Sequence, residues 1–322
     1  MTASTGQLHV GAAQVAPVYL DREATIEKDC EYIRSAGERD IDLLVFPEFH
    51  VAASPHHYRL DDAYTFEEYY EALFENAVTV PGPAVDAIRT AAREAETAVV
   101  LGVNERRPGT AGTMHNSLVF VDADGTLLGV RRKLMPTTYE RLFHMGGDGD
   151  DVRVFESNLG TIGGLLCGEH TNHLAGYSLL ALGEELHAAA WPAFPNYDRE
   201  TRERRIGIRT RFHAFAGSLP AVSASGVITE ELAAALGRPG WGTDSGTSAV
   251  ISPTGEYLAG PKWEGEGIVS AHVDLGDRVR LKASRDVVGH YNRFDVFELS
   301  VDRRRHRPLH LVSDDDGRPD TA

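Results

Sequence analysis

Gly160-Thr161-Ile162-Gly163-Gly164-Leu165-Leu166-Cys167-Gly168-Glu169-His170 sets a run of small and apolar residues directly ahead of a cysteine. The run is short, lacks polar alternation and is the pattern of a strand buried on both faces. Gly168 allows a strained turn and leaves a backbone N–H open toward a developing oxyanion. A thiol near a cation and backbone donors ionises more easily, and the thiolate is the nucleophile. The competing reading is an inert core cysteine. Cys30, spaced with Ile26 and Ile33 along one helical face, is assigned to that reading.

Two other segments also end a strand on a reactive group. Leu43-Leu44-Val45-Phe46-Pro47-Glu48 delivers a carboxylate to a sheet edge, where partial desolvation raises its pKa toward that of a useful base. Gly129-Val130-Arg131-Arg132-Lys133-Leu134-Met135-Pro136 delivers Lys133, one of four lysines against 28 arginines. As a compact cation it can stabilise a developing anion. Taken singly, each reads better as an ordinary charged loop or strand end.

Strand-like runs cover 8–14, 41–46, 98–103, 117–121, 127–130, 160–166, 187–191, 220–225, 247–252 and 267–273. Helical spacing covers 22–39, 65–77, 84–96, 173–186 and 199–216, with a short helix starting at Asp274. Asp124-Gly125 signals a hairpin and Pro253-Thr254-Gly255-Glu256 a turn. No repeat or linker divides the chain. The expectation is one α/β domain over 1–302, two sheets between helical layers, and a mobile charged tail over 303–322.

The charge sum of 32 basic against 48 acidic residues is −16, which disfavours nucleic acid or an anionic membrane as partner. The scarcity of lysine fits either a surface suited to high salt or a GC-rich coding bias. Two cysteines are too few for a disulfide framework. The first Lys or Arg is Arg22, and no apolar run approaches the roughly 18 residues needed to cross a bilayer. These features predict a soluble cytoplasmic protein.

Other site chemistries fit less well. Cys167, Glu169, His170 and His173 could form a metal cluster, but no second ligand pair has zinc-type spacing. Gly176-Tyr177-Ser178-Leu179-Leu180 lacks the second glycine of a serine nucleophile elbow. Gly146-Gly147-Asp148-Gly149-Asp150 follows no strand and carries acids, which makes a poor phosphate cradle.

A strand-end Glu, Lys and Cys, in that order, resemble the nitrilase superfamily of carbon–nitrogen hydrolases over about 8–302. Longer strings point to its nitrilase branch. They are Ala13-Gln14-Val15-Ala16-Pro17-Val18-Tyr19-Leu20-Asp21, the lysine segment 131–150, Glu185-Leu186-His187 with Trp191-Pro192, and Asp286-Val287-Val288-Gly289-His290-Tyr291-Asn292-Arg293-Phe294-Asp295-Val296. One departure is Gly168, where many nitrilases carry Trp.

The resemblance implies a four-layer α-β-β-α sandwich in which Cys167 is the nucleophile, Glu48 the general base, Lys133 the stabilising cation and Glu140 a supporting carboxylate. It implies Gly168 as oxyanion donor, with Tyr139, Trp191 and Pro192 as pocket lining; core packing is an equal reading for Trp191. The implied reaction converts a small-molecule nitrile to its acid and ammonia without metal or organic cofactor. An amidase or cyanide-hydratase-like member is the alternative, and a non-catalytic binding relative is the alternative of another class. A homo-oligomer paired through helices near the nucleophile, and extended into spirals in some nitrilases, is also implied. The helix at 173–186 carries few charges before Glu184-Glu185, which suits such a face.

Overall fold

Runs rich in Val, Leu, Ile and Ala supply two six-stranded sheets. The computed structural model describes residues 6–59 and 63–305, so the expected tail lies outside the described residues except for 303–305. The first sheet holds β1 (Gln7–Gln14), β2 (Leu43–Val45), β3 (Ala98–Arg106), β4 (Met114–Val121), β5 (Leu127–Arg132) and β12 (Gly267–Asp274). The second holds β6 (Phe155–Ser157), β7 (Gly160–Leu166), β8 (Leu186–Trp191), β9 (Ala221–Ser225), β10 (Asp244–Ile251) and β11 (Tyr257–Glu264). Strand order is β12-β1-β2-β3-β4-β5 in one and β11-β10-β9-β8-β7-β6 in the other. In each, a parallel centre, β1-β2-β3 or β7-β8-β9, is flanked by antiparallel pairs.

The sheets face each other across a shared core. Val10, Ala12, Val45, Val100, Leu118 and Phe120 of the first meet Ile162, Leu166, Ala188, Val222 and Val250 of the second. Helices α1 (Arg22–Gly37) and α3 (Pro83–Ala95) cover the outer face of the first sheet through Ile26, Ile33, Val85 and Ile88. Each such side chain, once buried, stabilises the fold by about 1.5–3 kcal/mol. Asp21 caps α1 by accepting from the Ala24 N–H at 2.9 Å. Between them runs α2 (Phe66–Glu75), opened by a Thr65/Glu68 capping box. The second sheet is covered by α4 (His173–Ala181) and, beyond the short α5 (Arg199–Arg202), by α6 (Ile208–Gly217). The α-β-β-α layering is therefore as expected. Two further short helices among the described residues are α7 (Glu230–Ala235) and α8 (Asp277–Arg285). No helix among the described residues is long and apolar enough to cross a membrane.

Some boundaries differ from expectation. The helix expected over 173–186 stops at Ala181, Gly183 turns the chain at φ +91, and Leu186 already belongs to β8. The helix expected over 199–216 is interrupted by a π turn at Glu203–Gly207. β11 was not foreseen because Pro261 sits inside it; the strand tolerates a residue without an N–H because it lies at the sheet edge.

Candidate active site

The two sheets bring Glu48, Lys133, Glu140 and Cys167 to one end of the sandwich. Glu48 follows β2, and its N–H donates to the Trp191 carbonyl of the other sheet at 3.3 Å. Its Oε1 accepts from Asn116 Nδ2 at 2.7 Å and from Lys133 Nζ at 2.8 Å. Its Oε2 is buried with no hydrogen-bond partner among the described residues. Burial pushes the Glu48 acid up to about 7; Lys133 opposes this and the Glu140 charge adds to it.

Lys133 follows β5, and its N–H donates to the Asn116 carbonyl at 2.8 Å, which fixes it beside β4. Its ammonium also donates to both oxygens of Glu140, at 2.9 and 2.8 Å. Burial alone would favour neutral Lys133, but the charge of Glu48, that of Cys167 whenever the thiol is ionised, and that of Glu140 outweigh it and hold the pKa above the ordinary range. The Phe49 ring lies 5.8 Å from the ammonium.

Cys167 ends β7 and opens a 3-10 turn over Cys167–Thr171. The left-handed residue is Cys167 itself, at φ +45, and not Gly168 as expected. Phe49 after Glu48 and Thr138 before Glu140 are also left-handed, at φ +56 and +49. Such strain in non-glycine residues gathers where a surrounding structure imposes it. The expectation of an easily ionised thiol is corrected: burial first, then the Glu48 and Glu140 carboxylates, push the Cys167 pKa up against the pull of Lys133. The resting group is a thiol that needs a base, and Glu48 is tuned to be one.

Gly168 is half-buried in the first turn, whose N–H groups have no acceptor within the helix. A Cβ there would come within 2.9 Å of the Thr137 hydroxyl, so a larger residue requires Thr137 to move. Tyr139 and Pro192 line a cleft of about 450 Å³ together with Ser54, His56, Phe194 and Asn196. Ser54, His57, Pro192 and Ala193 also border a small space against Glu48. Trp191 does not line the cleft. It is fully buried, packs with Cys167 and Ile206, and stacks on His170 at 4.6 Å.

The metal alternative is not assembled. Glu169 is taken by a bidentate bond from Arg131 at 2.6 and 2.9 Å, His170 meets His187, and His173 stands exposed on α4. Glu169 also accepts from the N–H groups of Leu134 and Leu166, at 2.8 and 3.0 Å, and so ties the lysine strand to the cysteine strand. Sequence reasoning missed Asn116 and the Arg131–Glu169 pair. Their only signal was polarity directly beside runs that read as strand, at the edges of 117–121, 127–130 and 160–166.

The chain belongs to the carbon–nitrogen hydrolase family, whose pattern matches residues 9–283. It is 36% identical to a "Nitrilase 2" from an unknown prokaryotic organism, over 97% of each chain. It is 31% identical to an "Aliphatic nitrilase" of Rhodococcus rhodochrous, covering 97% of this chain and 87% of the relative. Among solved structures, the Caenorhabditis elegans NitFhit protein superposes with a TM-score of 0.73 at 18% identity, over 95% of this chain and 69% of that one. Saccharomyces cerevisiae Nit3, of the nitrilase superfamily, gives 0.70 at 17% identity over 86% and 94%. The chain is thus a hydrolase acting on carbon–nitrogen bonds.

Proposed function

We propose that the protein is a nitrilase that converts an organic nitrile and two waters to a carboxylic acid and ammonia. The observation that carries this is one buried ammonium held between Glu48 and Glu140, with Glu48 pushed up to about 7 beside a thiol that needs deprotonation. Similarity to curated nitrilases across nearly the whole chain supports it. Glu48 takes the Cys167 proton, sulfur attacks the nitrile carbon, and the proton returns to nitrogen, giving a thioimidate. Water adds with Glu48 as base, nitrogen leaves as ammonia, and a thioester remains. A second water releases the acid and restores the thiol. Lys133 and the Gly168 N–H stabilise charge that develops on the substrate. Glu140 holds Lys133, and Tyr139 and Pro192 contact the rest of the nitrile.

The catalytic domain spans 1–302 in this reading. The cytoplasm is the proposed compartment, in keeping with two free cysteines. The proposed assembly is a homo-oligomer joined through α4 and α6, whose Leu174, Ile208, Phe212 and Phe215 side chains are exposed. Light scattering is expected to exceed the 35.1 kDa of one chain; a monomer would overturn the assembly. For the reaction, ammonia release is measured over matched nitriles and amides. Turnover of nitriles is expected, and turnover of amides alone would place the chain with the amidases instead.

A further inference from the structure

Behind the nucleophile lies a buried chain of titratable groups that the reaction above does not use. Glu184, assigned no role from sequence, is buried beneath β7, where Gly163 makes room for its carboxyl. Its Oε1 meets His187 Nδ1 at 2.7 Å and its Oε2 meets His213 Nε2 at 2.7 Å. The Nε2 atoms of His187 and His170 meet at 3.0 Å, and His170 Nδ1 meets the Cys167 carbonyl at 3.0 Å. All four residues are buried.

These four contacts need four protons, one between each pair of heavy atoms. Taken singly, burial favours an uncharged His170 and an uncharged His187, while the His187 and His213 donors favour carboxylate at Glu184 against its burial. Those preferences cannot all hold together. Three neutral rings bring only three protons, and one contact would then set two lone pairs against each other in the interior. The nearby cations do not relieve the carboxylate. Arg131 is bidentate on Glu169, and Arg209 lies over the Trp191 ring. A fourth proton completes every contact and makes the cluster neutral overall, which is the cheaper state for a buried group.

We infer that His213, Glu184, His187 and His170 hold four protons, and that this fixes His170 as an Nδ1–H donor to the Cys167 carbonyl. That carbonyl and the Gly168 N–H belong to one peptide unit. Donation to the carbonyl polarises the unit and strengthens the N–H as a donor toward substrate. Stacking on Trp191 holds the His170 ring in this pose. The four are positioning residues. His170 touches the nucleophile's backbone, the other three act through it, and none touches a reacting atom.

The effect on catalysis rests on Cys167 being the nucleophile; the proton count does not. Glutamine is the isostere of a protonated Glu184: its amide donates to His187 and its oxygen accepts from His213, so all four contacts survive. Glu184→Gln is expected to keep kcat within about threefold, whereas Glu184→Leu lowers it at least about tenfold with KM nearly unchanged. Glutamine as damaging as leucine, or full activity with leucine, overturns the inference. Nitrogen-15 NMR of histidine-labelled wild type, with His170 assigned by its loss in His170→Gln, tests the count even if Glu184→Leu does not fold or no nitrile is turned over. An Nδ1–H tautomer at His170 is expected. An Nε2–H tautomer, or a stoichiometric divalent ion in the purified protein held by Glu184, His187 and His213, would overturn it.

Discussion

Replacing Glu140 with glutamine isolates the share of the Glu48 basicity that repulsion from Glu140 adds to burial. Both carboxylates bond the same Lys133 nitrogen at 2.8 Å. A tetrahedral ammonium sets the bonded oxygens about 5 Å apart, and two like charges at that distance repel by about 3 kcal/mol at an effective dielectric of about 20. Removing one charge therefore lowers the Glu48 pKa by about two, from the about 7 that burial and Glu140 produce together. Because the basic form is the active one, the acid limb of kcat/KM moves to lower pH, toward about 5. The thiol also loses the upward push of Glu140, which offsets part of the weakening of the base, so kcat at about pH 8, where Glu48 is ionised in both proteins, falls by only about threefold to tenfold. Ammonia release from one good nitrile between about pH 5 and about pH 9 reads both effects. A lowered kcat with the acid limb left at its wild-type position would refute the reasoning, because Glu140 would then act only by holding Lys133 in place.

Cys167→Ala is expected to abolish turnover in a protein of unchanged circular dichroism, while Cys30→Ala keeps it, since the Cys30 thiol makes only a weak contact with the Ala87 carbonyl at 3.9 Å. Arg131→Met leaves Glu169 charged and unpaired in the interior and should cost about 3–5 kcal/mol of stability in urea titrations. Product chromatography should find acid in excess of amide. Protonation by Glu48 lets nitrogen leave, and a tenfold preference needs only about 1.4 kcal/mol at the branching step. A larger share of amide is expected in Glu140→Gln, where Lys133 is held less firmly.

The reactive groups were legible because each sits where a buried strand stops, and a stop of that kind has a plain one-dimensional signature. Singly none of these stops is decisive; Glu48, Lys133 and Cys167 stand out through their order along the chain and the family strings around them. What binds them could not be located that way. Asn116 reaches Glu48 from β4 across β3, and Glu169 reaches Arg131 from one sheet to the other, contacts that depend on register and not on neighbours in sequence. The state of the thiol was misjudged for a related reason. Lys133 was visible as a nearby cation, but the burial that outweighs it exists only in the folded chain. The burial of Glu184 had no local cue, and of the two equal readings of Trp191, pocket lining and core packing, the fold takes the core. A tryptophan packs as well behind a nucleophile as before it, and a glutamate within the helix expected over 173–186 gave no sign that the chain would turn at Gly183 and bury it.

Glu48, Asn116 and Lys133 hang from one sheet, and Cys167 from the other. The catalytic constellation is therefore a property of the seam. During refolding, each sheet can acquire its ladder of hydrogen bonds, and most of the helical signal can return, while the thiol remains far from its base. A species with both layers formed and their shared interior still open would look nearly native by far-ultraviolet dichroism and be catalytically silent. Recovery of ammonia release thus works as an internal clock for the docking of the two halves, and it lags behind the return of secondary structure.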